Sequence, residues 1–401
     1  MKNNYIYNIR NKRWVKLVLP FYLFTLLLLN ACRTDDIIIY AEDEDMGVEA
    51  VHTEVMGMYV LNEGNMGSNK CTLDYLDLSD STIHYYRNIY AERNPTEVKE
   101  LGDVGNDIQI YGSKLWLVIN CSNKVEVCRA SDAVKIGKVD IPNCRYLTFN
   151  GGYAYVSSYV GPVSIDGNAP RGRVYKVDTL TLQKVDSVVV GYQPEEMAVF
   201  NDKLYVANSG GYIAPQYDNT VSVIDLKSFT EERQIAVAVN LHRCRTDRYG
   251  QLWVTSRGNS RDVPSKLYWL TADGQGLMQV AGSIDTPVSD MCIVGDSLYF
   301  YGADFNAITY DVTSAQGIVN VRTHTQVSDV LSAAPECQKI RQLYGIMVHP
   351  QNRDFYLMDA KNYVSSGELL HFLPDGTFDY KVRTGDIPGH AVFLRAAPER
   401  N

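Results

Sequence analysis

The chain has 401 residues, enough for two or three small domains or for one closed ring of repeated units, so length by itself decides little. Tyrosine outnumbers phenylalanine 28 to 11, glycine is plentiful at 29 and charged residues make up 21%, a composition that suits many short strands joined by tight turns and disfavours a helical protein. The formal charge is −9, and because the first 31 residues carry five basic and no acidic side chains the remainder stands at −14, which argues against nucleic acid as a partner.

In chain order the first element is an export signal over 1–31. A basic stretch is followed by an apolar run at 17–29, too short to span a bilayer as a helix, and then by Leu29-Asn30-Ala31-Cys32. Those four residues resemble a lipobox, which implies cleavage before Cys32 and its lipidation; an ordinary signal peptide or an N-terminal membrane helix are the alternatives. Residues 32–54, with Asp35-Asp36 and Glu42-Asp43-Glu44-Asp45, hold too little apolar content to fold and are expected to form an acidic, flexible tether. Acidic pairs placed early after a lipidated cysteine also resemble a signal for display on the outer face of the outer membrane. Without Cys32 seven cysteines remain, an odd number, with no C-x-x-C spacing; disulfide pairing cannot be deduced from them and zinc or redox chemistry is poorly supported.

From 55 to 398 one pattern returns seven times. A strand with an aromatic centre is predicted around Tyr59, Trp116, Tyr155, Tyr205, Trp253, Tyr299 and Tyr356, at intervals of 57, 39, 50, 48, 46 and 57 residues, the size of four-stranded units with variable loops. Most markers follow a second apolar strand and a polar hairpin turn, as in 197–200 before Asn201-Asp202 and 291–294 before Gly295-Asp296. Alternating strands follow the markers at 173–178, 221–225 and 267–270. The first marker lacks a preceding inner strand, whereas His390-Ala391-Val392-Phe393-Leu394 lacks a following marker. The expected fold is therefore all-β, a seven-bladed β-propeller closed by a C-terminal strand joining the first blade. An eight-bladed ring or a pair of β-sandwiches are the alternatives.

Chain order places the loops after the marker strands and the entrances to the inner strands on one face. Those loops, at 62–70, 120–124, 158–172, 208–220, 256–265, 302–306 and 359–368, are long and rich in Asn, Gly and Tyr, so they mark the functional face. Loop position and chemistry nominate Asn65, Asn106, Arg145, Tyr159, Tyr192, Tyr212, Tyr217, His242, Arg257, Tyr344, Tyr363 and His390 as ligand-binding residues. No nucleophile elbow, His-Glu-x-x-His or phosphate-loop pattern occurs, so no catalytic or metal-ligating residue is assigned and no enzyme is expected.

The segment Tyr59-Val60-Leu61-Asn62-Glu63-Gly64-Asn65, with Gly67-Ser68-Asn69 and Leu73-Asp74-Tyr75, resembles the opening of YncE-like, surface-layer-type propeller lipoproteins of gut anaerobes. One branch of that family captures cobalamin above an outer-membrane, TonB-dependent transporter. The resemblance implies a lipid-anchored cell-surface protein that takes cobalamin or another corrinoid as transported ligand rather than cofactor, and passes it to such a transporter. Two other readings stay open: a metal-dependent hydrolase of the propeller lactonase type, and a surface scaffold that binds protein or glycan.

Overall fold

A computed structural model describes residues 38–396 apart from 52, 164–168, 328–329 and 332–333. The signal segment and Cys32 lie outside the described residues. Seven antiparallel sheets form a β-propeller. The seven expected markers each fall in the second strand of a blade: Val55–Asn62, Lys114–Ile119, Tyr153–Ser158, Lys203–Asn208, Leu252–Ser256, Ser297–Phe305 and Phe355–Asp359. Blades 2 to 7 are contiguous in sequence. Blade 1 takes its innermost strand, Pro388–Arg395, from the far end of the chain.

That strand runs antiparallel to Val55–Asn62, pairing Tyr59 with Val392 and Leu61 with His390, so the ring closes through main-chain hydrogen bonds between its first and last strands. Closure covers two edges that would otherwise present unpaired N–H and C=O groups. Each marker is buried in its own apolar cluster between neighbouring blades. Trp116 joins Val125, Val127, Leu147 and Val156 between blades 2 and 3, and Trp253 joins Leu267, Leu298, Phe300 and Val319 between blades 5 and 6. A fully buried aromatic of this kind withdraws roughly 150–250 Å² from water, worth about 4–6 kcal/mol at about 25 cal/mol per Å².

Hairpin chemistry sets the strand register. Asn201 and Asp202, with φ of 48° and 56°, supply the two left-handed residues of a tight turn between Phe200 and Lys203. Blade 6 differs from the sequence expectation. Its second and third strands, Ser297–Phe305 and Val312–Asn320, pair as far as Phe305 with Val312, so part of the expected loop at 302–306 is strand and the hairpin stands tall at one rim. Gly302 sits where a Cβ would come within 2.2 Å of the Pro287 carbonyl oxygen, which lets the hairpin pass close to the chain entering its own blade.

The expected tether is corrected over part of its length. Residues Glu42–Glu49 form a fifth strand on the outer edge of blade 1, pairing with Thr82–Arg87. Acidity is here the means of attachment: Arg87 holds Glu42 and Glu44 at 2.7 Å each, Arg383 holds Glu42 at 2.8 Å, and His84 meets Asp43 at 3.2 Å. Met46, Val48 and Ala50 pack on the blade 1 core, an alternation of small apolar content that composition alone conceals.

Candidate functional site

The long connections gather around one mouth of the ring, where a pocket of about 1060 Å³ opens. Entrances to the inner strands supply its floor and lower wall. Asn106 enters blade 2, Arg145 and Tyr146 blade 3, His242 and Arg243 blade 5, Tyr344 blade 7 and His390 blade 1. The tall hairpin of blade 6 raises one side with Gly302, Ala303, Val312, Ser314 and Ala315.

Nine of the twelve nominated residues line this pocket: Asn65, Asn106, Arg145, Tyr212, His242, Arg257, Tyr344, Tyr363 and His390. Tyr159 lies behind the wall, 4% exposed, with its hydroxyl donating to Glu195 Oε1 at 2.7 Å and its ring 5.0 Å below the Arg145 guanidinium. Tyr192 and Tyr217 lie outside the lining. Their segments are knitted to each other instead, because the Asp218 carboxylate accepts the Tyr192 N–H at 2.8 Å and the Asp218 N–H bonds the Ser209 carbonyl.

Opposite walls differ in charge. On one, Glu195 is 1% exposed and binds Arg145 through Nε and a terminal nitrogen, both at 3.1 Å, and Arg257 at 3.2 Å. Burial pushes the Glu195 carboxyl up, but Arg145, Arg257 and the hydrogen bonds from Tyr159 and Arg145 outweigh it and hold it below the usual carboxylate range. Deeper in the ring Arg243 meets Asp290 at 3.1 Å, and Arg245 bridges Glu196 at 2.9 Å and Asp290 at 3.1 Å. His242 shares a 2.8 Å hydrogen bond with the Tyr146 hydroxyl. Burial and the guanidinium groups of Arg257, Arg243 and Arg145 hold its imidazole well below the ordinary histidine value, hence neutral.

On the other wall Glu63 accepts from the Tyr344 hydroxyl at 3.1 Å and contacts His390 Nε2 at 3.0 Å, with Tyr363 edge-on to Tyr344 at 5.5 Å between ring centres. Glu63, Tyr146, Arg243 and Arg341 are lining residues beyond the nominated set. Glu63 stands in the opening motif, and Tyr146 and Arg243 each follow a nominated residue, so the signals were adjacent to those read. Chemically the pocket offers aromatic faces, amide donors and acceptors, and guanidinium forks, the equipment for holding a large polar ligand.

Among the described residues no three His, Cys, Asp or Glu side chains converge as a metal site. Cys71, Cys121, Cys128, Cys144, Cys244 and Cys292 form no disulfide. No helix of the described residues is long and apolar enough to cross a membrane.

No protein-family model and no curated protein sequence matches the chain. Among solved structures it is similar to a chain of Kuenenia stuttgartiensis hydrazine synthase, at 14% identity and a TM-score of 0.56, covering 73% of this chain and 96% of that one. It is also similar to a quinoprotein alcohol dehydrogenase-like protein from Bacteroides thetaiotaomicron VPI-5482, at 12% identity and a TM-score of 0.53, covering 85% of this chain and 79% of that one. At such identities the likeness is one of architecture, and it agrees with the strand order in assigning the chain to the seven-bladed β-propellers.

Proposed function

We propose that the chain is a capture module that holds a large polar ligand in the pocket at its ring mouth, with cobalamin or another corrinoid as the ligand. The observation that carries the capture reading is the pocket itself: about 1060 Å³, at the upper end of the roughly 300–1000 Å³ of small-molecule sites, walled by tyrosines, amides and arginines on a rigid closed ring. Preorganised walls cost little ordering on binding, so many modest contacts add to useful affinity. A corrinoid has a broad apolar macrocycle fringed by amides, which suits stacking on Tyr212 and Tyr363 and pairing with Asn65 and Asn106. The corrinoid identity rests on the opening motif at Tyr59–Asn65. With it go the lipid anchor at Cys32, display on the outer membrane surface and delivery to a TonB-dependent transporter.

Titration of the full chain, purified in detergent, with cyanocobalamin tests the reading. Saturable heat and a shift in the corrinoid absorption bands are expected. A flat calorimetric trace with an unshifted spectrum removes corrinoids as the ligand.

A further inference from the structure

The two walls of the pocket do not share charge evenly. Among the described lining residues Arg145, Arg243, Arg257 and Arg341 are cationic, while Glu63 is the one carboxylate. This concentration sits in a chain whose net charge is −9, so it is no general property of the surface.

Arg243 and the neighbouring Arg245 are matched by two carboxylates, Glu196 and Asp290. Arg145 and Arg257 are not matched in that way, because both lean on the single carboxylate of Glu195. Its Oε2 takes two contacts from Arg145, and its Oε1 takes Arg257 together with the Tyr159 hydroxyl. One negative charge therefore serves two cations. Glu195 is 1% exposed, whereas the side chains of Arg145 and Arg257 are 16% and 37% exposed and line the cavity. The carboxylate lies behind, and both guanidinium groups, which line the cavity, keep N–H groups that Glu195 does not engage. Arg145 is held further by the Tyr159 and Tyr146 rings, at 5.0 and 5.8 Å from its guanidinium carbon. A guanidinium fork preset in this manner matches the oxygen geometry of carboxylates and phosphates.

We propose that Arg145 and Arg257, seated together on Glu195, form an oxyanion subsite of the pocket that takes a phosphate-ester or carboxylate group of the bound ligand. The proposal rests on the capture reading and deepens it by naming the charged group the ligand must carry; in a cobalamin that group is the phosphodiester of the nucleotide arm.

The test uses the full chain in detergent at low ionic strength, titrated calorimetrically with pyrophosphate and with succinate, against potassium chloride at matched ionic strength. Wild type binds at least one of the two oxyanions and not chloride. Preference for pyrophosphate assigns the subsite to phosphate esters, and preference for succinate assigns it to carboxylates. Arg257→Gln, a change at a partly exposed side chain, weakens that binding by about tenfold or more, and Glu195→Gln, which removes the competing charge, tightens it in the folded fraction. Absence of binding by wild type, or equal affinity in Arg257→Gln, overturns the subsite. Cyanocobalamin and dicyanocobinamide, which lacks the nucleotide phosphodiester, are titrated in parallel. Oxyanion binding lost in Arg257→Gln with no heat from either corrinoid leaves the subsite standing and removes the corrinoid. Corrinoid binding indifferent to Arg257→Gln, with no oxyanion binding, does the reverse.

Discussion

His390 Nε2 lies 3.0 Å from Glu63 Oε1, a contact that spans 327 positions of sequence and joins the last strand of the propeller to the loop leaving its first marker strand. The same carboxylate accepts from Tyr344, so three strand ends, two of blade 1 and one of blade 7, meet at one group. His390→Ala is expected to lower stability by about 1.5–3 kcal/mol, the range for a hydrogen bond to a charged group. Urea unfolding followed by tryptophan fluorescence checks it, and an unchanged midpoint would show that the main-chain ladder alone fastens the ring.

Glu195 anchors two arginines from behind the opposite wall. Glu195→Ala leaves them facing each other without a counter-charge and is expected to cost about 3–5 kcal/mol, as for other broken buried pairs. Because its carboxyl titrates below the ordinary value in the folded chain, its contribution is fully present above about pH 4.3 and is lost as pH falls through the depressed native value. Glu195→Gln should flatten that acid limb of the stability curve. A limb of unchanged steepness would assign acid sensitivity to other carboxylates.

Tyr212 and Tyr159 separate binding from folding, although both come from neighbouring loops. Tyr212 is 48% exposed and lines the pocket, so Tyr212→Ala should weaken capture by about tenfold while stability stays within about 0.5 kcal/mol. Tyr159 is buried against Glu195 and Arg145, and Tyr159→Ala should instead destabilise by about 3 kcal/mol. Equal behaviour of the two variants in denaturant titration and ligand calorimetry would contradict this division.

His84 and Asp43 pin the added strand of blade 1. The hydrogen bond to Asp43, opposed by partial desolvation and aided by the charges of Asp43, Asp45 and Asp80, raises the His84 pKa above its ordinary value. The contribution is therefore fully present below the unfolded value of about 6.5 and is lost as pH rises through the folded one. Hydrogen-exchange protection of Asp43, Glu44 and Asp45, corrected for intrinsic rate, should be greater at about pH 6 than at about pH 8, with the difference gone in His84→Gln. Identical protection at both values would leave the strand to Arg87 and Arg383.

The ring was legible because its signal is repeated. Tyr59, Trp116, Tyr155, Tyr205, Trp253, Tyr299 and Tyr356 each sit directly between apolar neighbours in a short run, and every one occupies the same place in its blade. Chain order also placed the loops on one face, which is why most nominated residues reach the pocket. Direction was not legible. Tyr192 and Tyr217 belong to the right loops but are turned into a local knot around Asp218, a carboxylate whose backbone partners no spacing rule reveals. Nothing beside Glu63 in sequence announces the histidine that faces it. The strand at Glu42–Glu49 was hidden because charge reads as solvation until the arginines that neutralise it, one in blade 1 and one in blade 7, are known.

The clasp between Pro388–Arg395 and Val55–Asn62 also sets an order of events during synthesis. Glu63 is made 327 positions before His390, so the wall they share comes into being only when translation has delivered the closing strand and that strand has docked. A chain that lacks Pro388–Arg395 has the strands of blades 2 to 7 and still no finished vessel.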